Sequence, residues 1–443
     1  MSSFSKIRVV TGYFSVFLLF ILVRCEIRLW QKKPLAVQEL VFYVQPFDEV
    51  TVYLNERKIR PKIEKFEKSR SLMRLSLEGQ ERWRVRVEKV GYKSIVHELE
   101  ERDYRILARG EPLYWQLLPE RVPIRFVGAF TVCHKPKSVN FLDESKVLVV
   151  CLEDKEIHIV DIRTALRWPL LLPDKVANQK GFVESLILAQ RGEFYVSQMT
   201  TASVHVFSLS DFQYLERIAT GGKWTKVLHY DPYRHYLYAS NWLSKDISVI
   251  DLERRLEIRR VPTGGVPRGL ALSLDGQELA VALFGQKTDT DNEGGLGILE
   301  LSTFKWHKRY LGLGAMRHIV AYSDNSYYIS DMAAGYIWEY KGQKLVRKAK
   351  TCSKPNTIVL HKERHWLFVS CRGPNHPESY LRSGFEFGRL QIFELPELKF
   401  LAEWEGGEQP TGLALSPSGK VLVSSDFLDD RIRIYALEDS TKP

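Results

Sequence analysis

Seven copies of one short pattern constrain this chain more than any other feature it carries. They read Ile157-His-Ile-Val-Asp-Ile, Val204-His-Val-Phe-Ser-Leu, Ile247-Ser-Val-Ile-Asp-Leu, Leu296-Gly-Ile-Leu-Glu-Leu, Tyr336-Ile-Trp-Glu-Tyr, Leu390-Gln-Ile-Phe-Glu-Leu and Ile432-Arg-Ile-Tyr-Ala-Leu. Such runs of apolar and polar residues between turn residues are strands. The copies stand roughly 40 to 54 residues apart, the length of a four-stranded propeller blade. A second strand precedes each copy, as in Tyr195-Val-Ser-Gln, Tyr238-Ala-Ser-Asn, Tyr328-Ile-Ser-Asp and Phe368-Val-Ser-Cys. The innermost strand opens as Pro136-Lys-Ser-Val, Pro267-Arg-Gly-Leu, Pro355-Asn-Thr-Ile and Pro410-Thr-Gly-Leu, with less regular copies at Val183, Trp224 and Met316. The expected fold class is all-β: a seven-bladed β-propeller over residues 123–438.

The last copy is the third strand of blade seven, which leaves that blade without an outer strand. Ile124-Arg-Phe-Val-Gly-Ala-Phe has the pattern of the outer strand Tyr214-Leu-Glu-Arg-Ile-Ala-Thr. The 124–132 segment is therefore expected to pair with the Ile432 strand, closing the ring and removing an exposed edge. Tyr238-Ala-Ser-Asn followed by Ile247-Ser-Val-Ile-Asp resembles the YVTN-type propeller repeats, and the likeness covers nearly all of residues 123–438. The Gly-His and Trp-Asp marks of WD repeats are missing. The YVTN likeness implies a cell-envelope or surface role with a protein or glycan partner.

Residues 37–108 read as a small β-sandwich of five or six short strands, among them Leu40-Val-Phe-Tyr-Val, Val50-Thr-Val-Tyr-Leu and Trp83-Arg-Val-Arg-Val. The last of these runs on to Gly91-Tyr92, and the segment resembles a PEGA-type domain, a family of envelope-side spacers. Pro112, Pro119 and Pro123 mark 109–122 as a linker. Residues 1–25 read as a signal peptide or membrane anchor: Lys6 and Arg8 precede an uncharged run from Val9 to Val23. Leu22-Val23-Arg24-Cys25 resembles a bacterial lipoprotein cleavage box, with Cys25 as the acylated residue and Arg24 where the box has a small one. An uncleaved signal anchor fits the same residues. The localisation expected is export with membrane association, in a bacterial cell envelope.

Four further cysteines fall at matching places. Cys133 and Cys352 each lie three residues before an inner-strand proline, and Cys151 and Cys371 each occupy the place of Asn241. The start of one antiparallel strand lies beside the end of the next. Two equivalent disulfides, Cys133–Cys151 and Cys352–Cys371, are thus expected, in keeping with an oxidising compartment. Four buried thiols are the alternative; no Cys-x-x-Cys spacing points to a metal.

The net charge of +10 draws the protein to anionic surfaces or ligands without choosing among them. Both long insertions, Gly285 to Gly295 and Arg372 to Gly388, join a second strand to a third and so share one face of the ring. The position after the inner-strand proline reads Lys137, Glu184, Thr225, Arg268, Arg317, Asn356 and Thr411. Lys135, Lys226, His318 and Lys354 stand beside them, so the channel mouth is expected to be positive. It is read as an anion site, with Arg268, Arg317, Arg372 and the 375–382 segment as leading contacts; solvated charge around a water-filled channel is the plainer alternative. Asp289, Asp291 and Glu293, followed by Gly294 and Glu300, have the spacing of a Ca2+ loop, against the simpler reading of a solvated acidic loop.

No Gly-x-Ser-x-Gly elbow, no His-Glu-x-x-His and no phosphate-cradling loop occurs, and the ring offers no convergent carboxylates or histidine pair. Catalytic residues and a cofactor are accordingly not assigned. A lactonase-like, lyase-like or cofactor-dependent propeller enzyme remains the alternative. Nucleic-acid binding comes third, because the aromatics recur at blade positions. The reading favoured is a non-catalytic surface protein that binds a protein, glycan or other anionic ligand on its loop face.

Overall fold

Alternation along each strand and a polar turn after it build the blades. In the computed structural model, which describes residues 39–77, 82–285, 294–311, 314–323, 326–341 and 344–438, seven four-stranded sheets form from the repeat. Blade three shows the logic. Thr225–Asp231, Tyr236–Asn241, Asp246–Asp251 and Leu256–Pro262 pair in order as an antiparallel meander. The two middle strands are sandwiched by neighbouring blades, so Tyr238, Ile247 and Val249 are wholly buried, whereas the outer strand keeps a wet face. Asp251 closes the turn to that outer strand by accepting the N–H groups of Glu253 and Arg254 at 2.9 and 3.1 Å, and Asp161 does the same in blade one.

Blade seven takes its outer strand from the other end of the propeller. Ile124–Thr131 pairs antiparallel with Arg431–Leu437, Ile432 opposite Phe130, and the inner strands of blades one and seven lie side by side. Cys133–Cys151 and Cys352–Cys371 are both bonded, with Cα atoms 6.1 and 5.9 Å apart, at equivalent places in blades one and six.

The N-terminal unit is a sandwich of two four-stranded sheets. One holds Glu39–Gln45, Lys62–Glu67, Arg70–Ser76 and Leu113–Gln116; the other holds Thr51–Leu54, Arg57–Ile59, Arg84–Glu88 and Ile95–Glu98. Here the linker reading of 109–122 is corrected. Leu113–Gln116 is a strand, parallel to Glu39–Gln45 and buried throughout, and Leu117, Leu118 and Val122 are buried as well. A parallel partner needs a crossover, and the helix Glu101–Ala108 supplies it, its first turn closed by the Asp103 carboxylate on the Glu100 N–H at 2.8 Å. The prolines misled because Pro112 and Pro119 bracket the strand and do not interrupt it.

The sandwich is seated on blade seven by a buried polar network. Arg433, fully buried, donates to Asp426, to Gln116 at 2.9 Å and to the Tyr114 hydroxyl at 3.0 Å. Arg70 donates to Asp429 at 2.9 Å, and Gln45 to the Gly406 carbonyl at 3.0 Å. Every buried charge here has a partner, which is what its desolvation requires. Residues 1–25, including Cys25, lie outside the described residues. Among the described residues no helix is long and apolar enough to cross a membrane.

Candidate ligand cavity at the propeller mouth

The inner strands are not regular. Each breaks register near its start, between Thr225 and Leu228 in blade three and between Pro267 and Leu270 in blade four. Such bulges re-aim side chains. The serine of the second strand pins them: Ser240 accepts the Val227 N–H at 3.0 Å, Ser330 that of His318 at 3.1 Å and Ser370 that of Thr357 at 3.1 Å. The bulge leaves the first inner-strand residues facing the axis.

By register, Pro136 lies opposite Cys151, Phe182 opposite Gln198 and Thr225 opposite Asn241. The next residue around the ring is thus Lys137, Val183, Lys226, Arg268, Arg317, Asn356 and Thr411 in turn. This corrects the expected alignment, which placed Glu184 and Thr225 in the ring; blades two and three have no proline to mark the strand start. Lys137, Val183, Lys226, Arg268 and Arg317 line a cavity of about 670 Å³ together with Lys354 and Arg372. Six basic side chains thus meet there; the described lining holds no carboxylate, and Glu184, whose charge reaches Lys137, Lys226, Arg268 and Arg317, stands outside that lining.

A second ring surrounds the first, and of its members the sequence pattern singles out only Arg372. The residue just after each second strand, Leu152, Met199, Trp242, Phe284, Met332, Arg372 and Phe427 in blade order, lines the same cavity. Its signal was legible in Ser240-Asn-Trp, Ser330-Asp-Met and Ser425-Asp-Phe. Cations lie on these rings. The Lys226 Nζ sits 3.7 Å from the Trp242 ring centre and Arg268 4.8 Å from the same ring, while Arg372 lies 5.5 Å from both Tyr380 and Phe427. Trp224 and Lys354, each with a left-handed backbone (φ 61° and 59°), complete the rim. The long insertion of blade six brings Asn375 and Tyr380 over the opening, held by Gln409, which donates to the Tyr380 carbonyl at 2.7 Å and accepts from Arg372.

Burial and mutual repulsion set the electrostatics. Burial first, then Arg268 and Arg317, push Lys226 down to about 5. Burial lowers Arg268 and Arg372 to about 10 each, and it depresses Lys137 and Arg317 together with the neighbouring guanidinium groups. Glu184 opposes the trend for Lys137, Lys226, Arg268 and Arg317. Arg268 is 3% exposed, and its Nε and Nη1 have no hydrogen-bond partner. Unpaired buried donors of this kind favour an anion.

Three expected site residues are not on this wall. Lys135 turns away to Glu153, 3.5 Å distant, where the equivalent place beside Lys354 is Gly373. Asn356 donates to the Thr411 carbonyl at 3.0 Å, between blades. His318 sits behind Arg317, where burial and the guanidinium groups hold it near 4 and thus neutral. His229 accepts the Leu272 N–H at 3.0 Å, and His361 lies against the Gly419 carbonyl. Asp289, Asp291 and Glu293 lie outside the described residues. Glu300 accepts from Ser302 and Thr303 at 3.0 and 2.7 Å, closing its own turn. A separate hollow of about 740 Å³ beside Cys133–Cys151 mixes both charge signs, and its groups pair internally, as His134 does with Asp430 at 2.8 Å. Among the described residues, Cys133, Cys151 and Asp154 form the one cluster of metal-type side chains, and two of the three are tied in a disulfide.

No known family model matches the chain. Antigen Lp49 of Leptospira interrogans serogroup Icterohaemorrhagiae serovar copenhageni is 35% identical over 404 residues, spanning 89% of this chain and 87% of the antigen. Two solved structures share the architecture. The Kuenenia stuttgartiensis hydrazine synthase matches with a TM-score of 0.56 and 14% identity, over 71% of this chain and 98% of that one. A chain of the mitotic checkpoint complex matches with a TM-score of 0.57 and 13% identity, over 69% of this chain and 90% of that one. At such identities these two likenesses concern the fold alone.

Proposed function

The chain belongs to the family of antigen Lp49, and from that premise we propose that it is an exported, non-catalytic binding protein of the bacterial cell envelope whose propeller mouth captures an anionic ligand. One observation carries the reading: six basic side chains from five blades converge on one cavity whose described lining has no carboxylate. So many basic groups together disfavour one another's charged forms until an anion joins them. A catalytic reading is less favoured because the described wall offers no carboxylate to serve as general acid or base.

The kinship to a protein named an antigen and the two disulfides support exposure outside the cytoplasm. In this reading residues 1–25 direct export, Cys25 carries the lipid, the PEGA-type sandwich holds the propeller off the membrane, and the YVTN-type ring presents its loop face. Pyrophosphate titrated into the full chain by calorimetry tests the central claim. Saturable binding at one site per chain is expected, abolished by Arg268→Glu with Arg317→Glu while the unfolding transition persists. Unchanged binding in that double variant rejects the cavity. Labelled palmitate incorporated by the wild type and lost in Cys25→Ala would support the anchor.

A further inference from the structure

A bare inorganic ion would leave the apolar part of the cavity wall uncovered, and a neutral ligand would leave its basic groups unanswered. Resting on the anion-capture reading above, we propose that its occupant is an organic anion with at least two acidic groups carried on a flat, apolar body. Two features of the wall lead there independently.

The first is the distribution of charge. Lys226, Arg268 and Arg317 come from three successive blades, while Lys137 and Arg372 reach in from blades one and six. Cations on separate sides of the axis are not answered by one carboxylate; acidic groups spread over a rigid frame meet several at once. The donors are ready: Arg268 leaves Nε and Nη1 unpartnered, and Arg372 leaves Nε so. Buried donors of this kind recover a bond only when an acceptor arrives. Arginine suits the task, because its planar fork is weakly hydrated and stacks while it binds.

The second is the outer ring. Six of its seven positions are apolar, with Trp242, Phe284 and Phe427 the aromatic ones and Met199 and Met332 the adaptable ones. A hydrated phosphate would leave these side chains facing water, whereas a planar body buries against them and takes their apolar area out of water. The about 670 Å³ of space lies within the range that holds a compact organic molecule. Lys226 and Arg268 both lie against the Trp242 ring, which positions the two donors beside the apolar surface of Phe284, Met199 and Met332.

Three probes separate these requirements in calorimetric titrations of the full chain at neutral pH. Trimesate has three carboxylates on a benzene ring, tricarballylate has three without a ring, and benzoate has the ring with one. Trimesate is expected to bind at least tenfold tighter than either, and Phe284→Ala to narrow its lead over tricarballylate. Tricarballylate binding as tightly as trimesate would overturn the flat body yet leave anion capture standing. Benzoate matching trimesate would overturn the need for several charges. If none of the three binds saturably while pyrophosphate does, the inference fails alone; if pyrophosphate fails as well, the anion-capture reading falls with it.

Discussion

The Ser197 hydroxyl donates to the carbonyl oxygen of Lys226 at 2.5 Å, tying the second strand of blade two to the inner strand of blade three at a residue that carries a cavity cation. The Ser197 Oγ in turn receives the Glu184 N–H at 3.2 Å. Ser330 reaches the Asn356 carbonyl at 2.8 Å and Ser370 the Thr411 carbonyl at 3.2 Å, so the device repeats around the ring. Ser197→Ala leaves the Lys226 carbonyl without this partner inside the protein. It is expected to lower unfolding free energy by about 1–3 kcal/mol in urea titrations. Affinity for an anionic probe should fall as well, and Ser197→Thr should restore both.

The seating of the sandwich yields a second expectation. Arg70 is buried between Asp429 and the rings of Tyr43 and Phe387, and Phe387 belongs to the insertion that carries Tyr380 over the cavity. Arg70→Met takes the nearest cation from the Asp429 carboxylate, which keeps Arg433 at 3.8 Å and the Glu408 N–H at 3.1 Å, so the expected loss lies below the about 3–5 kcal/mol of a wholly unpaired buried charge. Denaturant unfolding of the full chain checks it. Arg70→Met combined with Asp429→Asn should recover part of the loss, because the buried carboxylate that loses its nearest cation is then neutral.

How much of this was legible beforehand follows from where periodicity reaches. Seven blades, the borrowed Ile124–Thr131 strand and the cysteine pairs could be read because each rests on spacing between recurring residues. The cavity cations Lys137, Arg268 and Arg317 followed from the same count. The sequence pattern sets Lys226 beside the ring and not in it, because the bulge at Thr225–Leu228 shifts the register by an amount that no residue announces. Lys135 was misplaced for a tertiary reason: Glu153, from the neighbouring loop, draws it aside. The Leu113–Gln116 strand was hidden because its partner, Glu39–Gln45, is far away in sequence and parallel, and a parallel pair leaves no hairpin to recognise.

The two disulfides close loops with sequence separations of 18 and 19. Loops of that size restrict the unfolded chain by about 3 kcal/mol each in the chain-entropy view. Peptide mapping without reductant should return Cys133 linked to Cys151 and Cys352 linked to Cys371. Replacing either pair with serine should lower stability by about that amount in denaturant titrations. Recovery of free thiols at these positions from oxidised protein would contradict the pairing.

Proton uptake should accompany ligand capture. In the free protein Lys226, pushed down to about 5 by burial and then by Arg268 and Arg317, is neutral at neutral pH, with Glu184 as the opposing charge. An arriving anion favours the ammonium form and raises that value, so binding draws a proton from solvent. The sign follows: affinity strengthens as pH falls from about 8 toward about 5, by up to about tenfold per unit for each lysine so coupled, and levels off below. Calorimetry at neutral pH in buffers of different ionisation heat should show about one proton or more taken up per anion bound, since Lys137 is depressed as well. Lys226→Met should remove about one of them. The ligand-free protein shows the converse. Its folded state binds fewer protons at Lys226 than the unfolded chain does, so this residue's contribution to stability rises with pH from about 5 toward the ordinary lysine range. An affinity that stays level between about pH 6 and 8 would mean that Lys226 is already charged before the anion arrives.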